Sequence, residues 1–100
     1  QPSDTVSAGD ITISPSRLRA WRGGRPLNLS QTEFKLLLEL ARNAGTLVTR
    51  PMLIERIWGL DFMPTTNLVD AHIRHLRVKL VEQGDDPIST QRGMGYMLRA

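Results

Sequence analysis

Residues 66–81, TNLVDAHIRHLRVKLV, decide how this 100-residue chain is read. Val69, Ile73, Leu76 and Leu80 recur at spacings of four, three and four, the apolar seam of an amphipathic helix. At about 100° per residue, Asn67, Ala71, Arg74, His75 and Val78 point away from that seam. The outer face is small and polar at its start and basic further on, with no carboxylate at its centre. Arg77 and Lys79 flank it as further cations, and Asp70 is the lone acid from 66 to 79. Solvated helix faces usually mix both signs of charge. This one is suited to an anionic, hydrogen-bonding surface.

Downstream, residues 88–99, ISTQRGMGYMLR, form a short hairpin whose Gly93 and Gly95 permit a tight, positive-φ reversal. Residues 84–87 reverse the chain before it, and Asp85-Asp86 reads as a solvated turn. Upstream, Thr49 caps a second helix with Pro51 in its first turn, where a missing N–H costs little. Leu53, Ile54, Ile57 and Trp58 give its buried face, and Gly59 ends it. Further back, Ser30-x-x-Glu33 is a capping box that opens a first helix. Its apolar stripe is Phe34, Leu37, Leu38 and Ala41, and residues 43–45 stop it. Residues 46–48 read as an extended link. Short strands at 11–14, 18–21 and 26–29 make a small antiparallel sheet, with Arg17, Arg19, Arg22 and Arg25 expected on its solvated side. The polar residues 1–8 read as the end of a linker, and one domain follows over 9–100.

Composition removes several alternatives. Thirteen Lys and Arg against ten Asp and Glu give a formal net charge of +3, so the placement of basic residues matters more than their total. There is no cysteine, hence no disulfide framework and no Cys-based zinc finger. No apolar run approaches the ~18 residues of a membrane span, and a soluble, cytoplasmic chain is expected. His72 and His75 form an H-x-x-H pair, but no Cys or other third ligand lies nearby in sequence. His72 reads as a helix-packing residue, and neither metal nor cofactor is expected. Arg92-Gly93-Met94-Gly95 joins two strands and opens no helix, so it is not a nucleotide-binding loop. With no clustered carboxylates beyond Asp85-Asp86, and no serine with a convincing base, no enzyme is expected.

An α+β chain with a small N-terminal antiparallel sheet, three helices and a C-terminal β-hairpin has the elements of a winged helix-turn-helix. Four segments go further: EFKLLLEL (33–40), the pair Trp58-Gly59, NLVDAHIRHLRVKL (67–80) and TQRGMGYML (90–98). Together, in that order, they resemble the OmpR/PhoB family, the DNA-binding effector domains of bacterial two-component response regulators. The resemblance covers the chain from about Gly9 to Arg99.

That resemblance implies sequence-specific binding of double-stranded DNA for transcription regulation within a phosphorelay. The third helix becomes the recognition helix in the major groove. There Arg74 and His75 can reach a guanine edge or a flanking phosphate. Asn67 can read adenine or position a phosphate, Ala71 and Val78 can touch a thymine methyl, and Arg77 and Lys79 are expected on phosphates. Asp70 reads as the i+4 partner of Arg74. His75 departs from the arginine that many family members carry. It either touches DNA, making binding pH-sensitive, or only solvates. The hairpin becomes the wing, with Arg92 and Gly93 at its tip beside an adjacent minor groove. Thr90 and Tyr96 are candidates for phosphate hydrogen bonds, with Tyr96 also able to pack on the helix.

The loop Gly59, Leu60, Asp61, Phe62, Met63 and Pro64 corresponds to a family segment that can touch RNA polymerase, although Phe62 is expected to tuck onto the core. The resemblance further implies an N-terminal phospho-acceptor receiver domain, addressed by a cognate sensor kinase. Isolated effector domains are expected to be monomers in solution and tandem dimers on direct-repeat promoter sites. A winged helix used for protein interaction is the alternative. It calls for an apolar outer face, contrary to Arg74, His75 and Arg92.

Overall fold

The computed structural model describes residues 5–64, 67–82 and 84–99. A four-stranded antiparallel sheet comes first, built in chain order from β1 (Val6–Ala8), β2 (Ile11–Ser14), β3 (Arg19–Arg22) and β4 (Arg25–Pro26). Residues 6–8 were expected in the linker, yet they pair with β2 as the edge strand. In β2 and β3, Ile11 lies opposite Arg22 and Ile13 opposite Ala20. Those four side chains share the inner face and all are buried.

Arg22 therefore corrects the expectation of a wholly solvated arginine set. It is 3% exposed, its Nε lies 3.1 Å from Asp10, and its Nη1 donates to the Leu80 carbonyl at 2.6 Å. Leu80 sits in the last turn of the third helix, where orphan carbonyls favour a cation. Arg22 thus fastens the sheet to the end of that helix. Arg17, Arg19 and Arg25 are exposed, as expected.

Helix α1 (Gln31–Arg42) starts where the capping box placed it. Ser30 Oγ accepts from the Glu33 amide at 3.2 Å, while Glu33 Oε1 accepts from the Ser30 amide at 2.9 Å. Phe34, Leu36, Leu37, Leu40 and Ala41 are its buried residues besides Glu33; Leu38 is half-buried. The apolar face is thus broader than the four-residue stripe. It packs against β1, the third helix and the last strand.

Residues 46–48 were expected as an extended link without a pairing partner. Instead β5 (Val48–Thr49) pairs antiparallel with β7 (Gly95–Leu98), which pairs with β6 (Ile88–Gln91). The wing is therefore the outer part of a three-stranded sheet, order β5-β7-β6. Thr49 also caps α2 (Arg50–Leu53), its Oγ1 accepting from the Met52 amide at 3.3 Å. That helix continues as a π-helical segment, Ile54–Trp58, which the apolar spacing did not anticipate. Gly59, at φ 70°, ends it in the left-handed conformation.

Helix α3 (Leu68–Val81) buries Val69, Ile73, Leu76 and Leu80, the four seam residues read from the sequence. Asn67 is its N-cap residue but makes no side-chain capping bond. Thr66, where the helix was expected to begin, lies outside the described residues. These seams meet in one core with Ile11, Ile13, Leu37, Val48, Leu53 and Leu98.

Candidate nucleic-acid interface

With the seam buried, α3 presents Asn67, Arg74, His75 and Val78 as exposed residues and Ala71 as half-buried. Val78 is 54% exposed, a large aliphatic left in water on a helix face beside two basic residues. Neither the Arg74 nor the Arg92 side chain is hydrogen-bonded or ion-paired to another described residue. Arg74 only feels the charge of Asp70 nearby.

Three flanking residues have structural partners that sequence reasoning did not assign. Lys79 Nζ donates to Glu33 Oε1 at 2.6 Å, an ion pair from α3 back to the cap of α1. Arg77 Nη2 donates to the Ile88 carbonyl at 2.7 Å, and its Nε lies 3.2 Å from Asp86 outside hydrogen-bonding geometry. In the free domain Arg77 and Lys79, expected on phosphates, are thus held by partners within the chain while remaining part-exposed. Asp86 is likewise more than a solvated turn, since its Oδ1 also accepts from the Ile88 amide at 3.0 Å. Asp70 is hydrogen-bonded to Arg50 Nε at 3.0 Å and to the Tyr96 hydroxyl, not to Arg74.

The wing turns through Arg92, Gly93 and Met94, between Gln91 and its partner Gly95. The Met94 amide donates to the Gln91 carbonyl at 2.9 Å, and Gly93 takes φ 73° within that turn. Gly95 needs no positive φ. A Cβ there would lie 2.2 Å from the Val48 carbonyl oxygen, so its role is close approach of β7 to β5. Thr90, Arg92, Gly93 and Met94 are exposed. Met94, 58% exposed at the tip, is a surface residue that the motif reading passed over. Tyr96 is 4% exposed and its hydroxyl is engaged by Asp70. It packs on the helix, the second of the two roles read for it from the sequence.

His72 donates from Nδ1 to the Leu68 carbonyl at 2.9 Å and meets Trp58 edge-on at 5.4 Å, a packing role. In the loop after Gly59, Phe62 is 62% exposed and does not tuck onto the core; Met63 is 48% exposed. Gly59 and Asp61 are also exposed, and Leu60 and Pro64 are half-buried. Phe62 and Met63 border a groove with Pro51, Met52 and Ile54.

Two carboxylates carry the electrostatics. Burial raises the Glu33 carboxyl, but Lys79 and the Ser30 hydrogen bonds outweigh it and hold it below its ordinary value. Burial likewise raises Asp70, and the Tyr96 hydroxyl, Arg50 and the charge of Arg74 together bring it below the usual range. Both groups bind protons more tightly unfolded than folded. Their contribution is complete above the ordinary carboxylate range near pH 4 and is lost as pH falls through the lowered values. Urea midpoints measured from pH 7 to pH 2 should therefore fall with acidification. Lys79→Met should flatten that slope, and an unchanged slope would remove the Glu33–Lys79 pair from the acid response.

A family profile described as "Transcriptional regulatory protein, C terminal" matches residues 24–98. The chain belongs to that family of OmpR/PhoB-type domains. Among its relatives is the transcriptional regulatory protein TrcR of Mycobacterium tuberculosis, 39% identical over 100 residues, covering 99% of this chain and 39% of that one. The chain thus spans about two fifths of the length of the curated relatives it matches.

Solved DNA-binding domains superpose closely on this chain. The DNA-binding domain of CpxR from E. coli gives a TM-score of 0.85 at 33% identity, covering 100% of this chain and 98% of that one. The RstA DNA-binding domain of Klebsiella pneumoniae, solved in complex with the RstA box, gives 0.83 at 33% identity, covering 95% and 96%.

Proposed function

We propose that this OmpR/PhoB-type domain binds double-stranded DNA sequence-specifically and thereby controls transcription. Helix α3 enters the major groove and the wing reaches the adjacent minor groove. One observation carries this reading: the exposed face of α3 keeps Asn67, Arg74, His75 and Val78 open, while Asp70, Arg77 and Lys79 are engaged by other elements. Exposed Arg74 is suited to guanine, whose O6 and N7 accept the two parallel donors of a planar guanidinium. Val78 and Ala71 suit thymine methyl groups, and Asn67 suits adenine or a phosphate at the helix start. Thr90, Arg92 and Gly93 serve the wing contact, and Tyr96 supports it from beneath.

The same reading extends to the whole protein. It is the effector part of a phosphorelay response regulator in the cytoplasm, joined to a receiver domain that a sensor kinase phosphorylates. Two copies sit in tandem on direct-repeat sites, while the isolated domain is a monomer. The exposed Phe62 and Met63 suit the loop of residues 59–64 to RNA polymerase. No catalysis, cofactor or metal enters this account.

Selection of sites from random duplex DNA, followed by anisotropy against salt on enriched and scrambled duplexes, tests the proposal. A repeated short half-site, bound more weakly as salt rises, is expected. Equal binding to both duplexes would reduce the function to generic electrostatics, and no binding would favour a protein-interaction module. Arg92→Ala should lower affinity for every duplex roughly tenfold, about 1.4 kcal/mol, and reduce the salt slope by about one. Unchanged affinity would take the wing out of the mechanism.

A further inference from the structure

Asp70 is a carboxylate on the helix that would enter the groove, one residue before Ala71 and four before Arg74. Close to phosphates, such a charge opposes binding. By electrostatics alone its removal would tighten the complex. What it does instead is visible in its partners. Its Oδ1 accepts from Arg50 Nε at 3.0 Å and from the Tyr96 hydroxyl of β7. The Arg50 main-chain amide, in turn, donates to the Met94 carbonyl at the wing tip, 3.4 Å away.

The Arg50 guanidinium lies 5.2 Å from the Tyr96 ring centroid and that of Arg77 lies 5.8 Å from it. Arg77 also donates to Ile88 at the start of β6. Both wing strands are therefore tied to α3, through Tyr96 and through Ile88. The start of α2 is tied to α3 and to the wing tip. Asp70 is the partner shared by two of these residues, Tyr96 and Arg50.

We propose that Asp70, with Tyr96 and Arg50, is a positioning residue that fixes the wing against α3. The contacts of Arg74 in one groove and Arg92 in the other are then made as one. This rests on the DNA-binding reading above. Asp70 touches no base or phosphate in this role. It offsets the repulsion it causes by holding Arg92 where its contact can be made without reordering the wing.

A double-mutant cycle on the selected duplex tests it. In the wild-type background Arg92→Ala should cost roughly tenfold in affinity, and in the Asp70→Ala background under about threefold, because a loose wing no longer delivers Arg92. Tyr96→Phe keeps the ring between its neighbours and removes the hydroxyl, so it should shrink the Arg92 effect in the same direction. It also serves if Asp70→Ala does not fold. A role in stability alone would leave the Arg92 effect undiminished in every folded variant. That result, or tighter binding by Asp70→Ala with the Arg92 effect intact, overturns the proposal.

Residual dipolar couplings of the DNA-free domain give an independent reading. The amides of β6 and β7 should lose their fixed orientation relative to α3 in Asp70→Ala or Tyr96→Phe, and an unaltered orientation would refute the coupling. Should the wild-type domain bind no duplex, the DNA-binding reading fails while these couplings still decide whether Asp70 positions the wing.

Discussion

Gly95→Ala is expected to destabilise the domain by about 3 kcal/mol or more, read as a fall in urea midpoint with the fold otherwise two-state. The added Cβ would meet the Val48 carbonyl oxygen at 2.2 Å and the Thr49 Cα at 2.7 Å. Both are main-chain atoms. No rotamer change relieves the clash, so β5 must part from β7. The loss should appear first in amides of the three-stranded sheet, because Thr49 also caps α2 and so links strand to helix. Gly93→Ala is a useful contrast. Nothing lies within 4 Å of its added Cβ, and only the φ of 73° resists, for which about 1–2 kcal/mol is expected. Equal effects at the two glycines would contradict the close-approach account.

Arg74→Ala should weaken binding to the selected duplex by about 2 kcal/mol and relax preference at a single base pair. The basis is that the Arg74 side chain is exposed, mid-face and free of hydrogen-bonded partners among the described residues, so its substitution leaves the domain intact. Thermal midpoints should not move. Loss of affinity on enriched and scrambled duplexes alike would instead assign Arg74 to a phosphate. The same pair of duplexes decides His75. A loss of affinity in His75→Gln confined to the enriched duplex would place its imidazole on a base.

Much of the fold was legible where the determinants are local. The α3 seam follows from one period of apolar residues, and the start of α1 from two side chains three residues apart. Elements made by distant pairing were not. The two residues of β5 have no strand pattern of their own and are extended because β7 takes them as partners. The π-helical segment has the same apolar spacing as a continuing α-helix. Arg22 was recoverable: in a strand Ala20 and Arg22 share a face, and Arg19 cannot join them.

At the candidate interface, the outward face of α3 came from periodicity alone; four of its five residues are exposed and Ala71 is half-buried. The flanking charges did not. Arg77 and Lys79 have partners eleven and 46 residues away that one helix's sequence does not reveal. Charge counting along one helix treats every cation as available. The folded chain leaves Arg74 open and spends the other two on its own carbonyl and carboxylate groups.

Glu33 shows what this means for anyone rewriting the sequence. A capping box accepts glutamine as readily as glutamate, because either side chain can reach back to the cap amide. Here the same carboxylate also receives Lys79. A redesign guided by local helix rules would accept Glu33→Gln, keep α1 correctly started, and release a fastening on α3 46 residues further along.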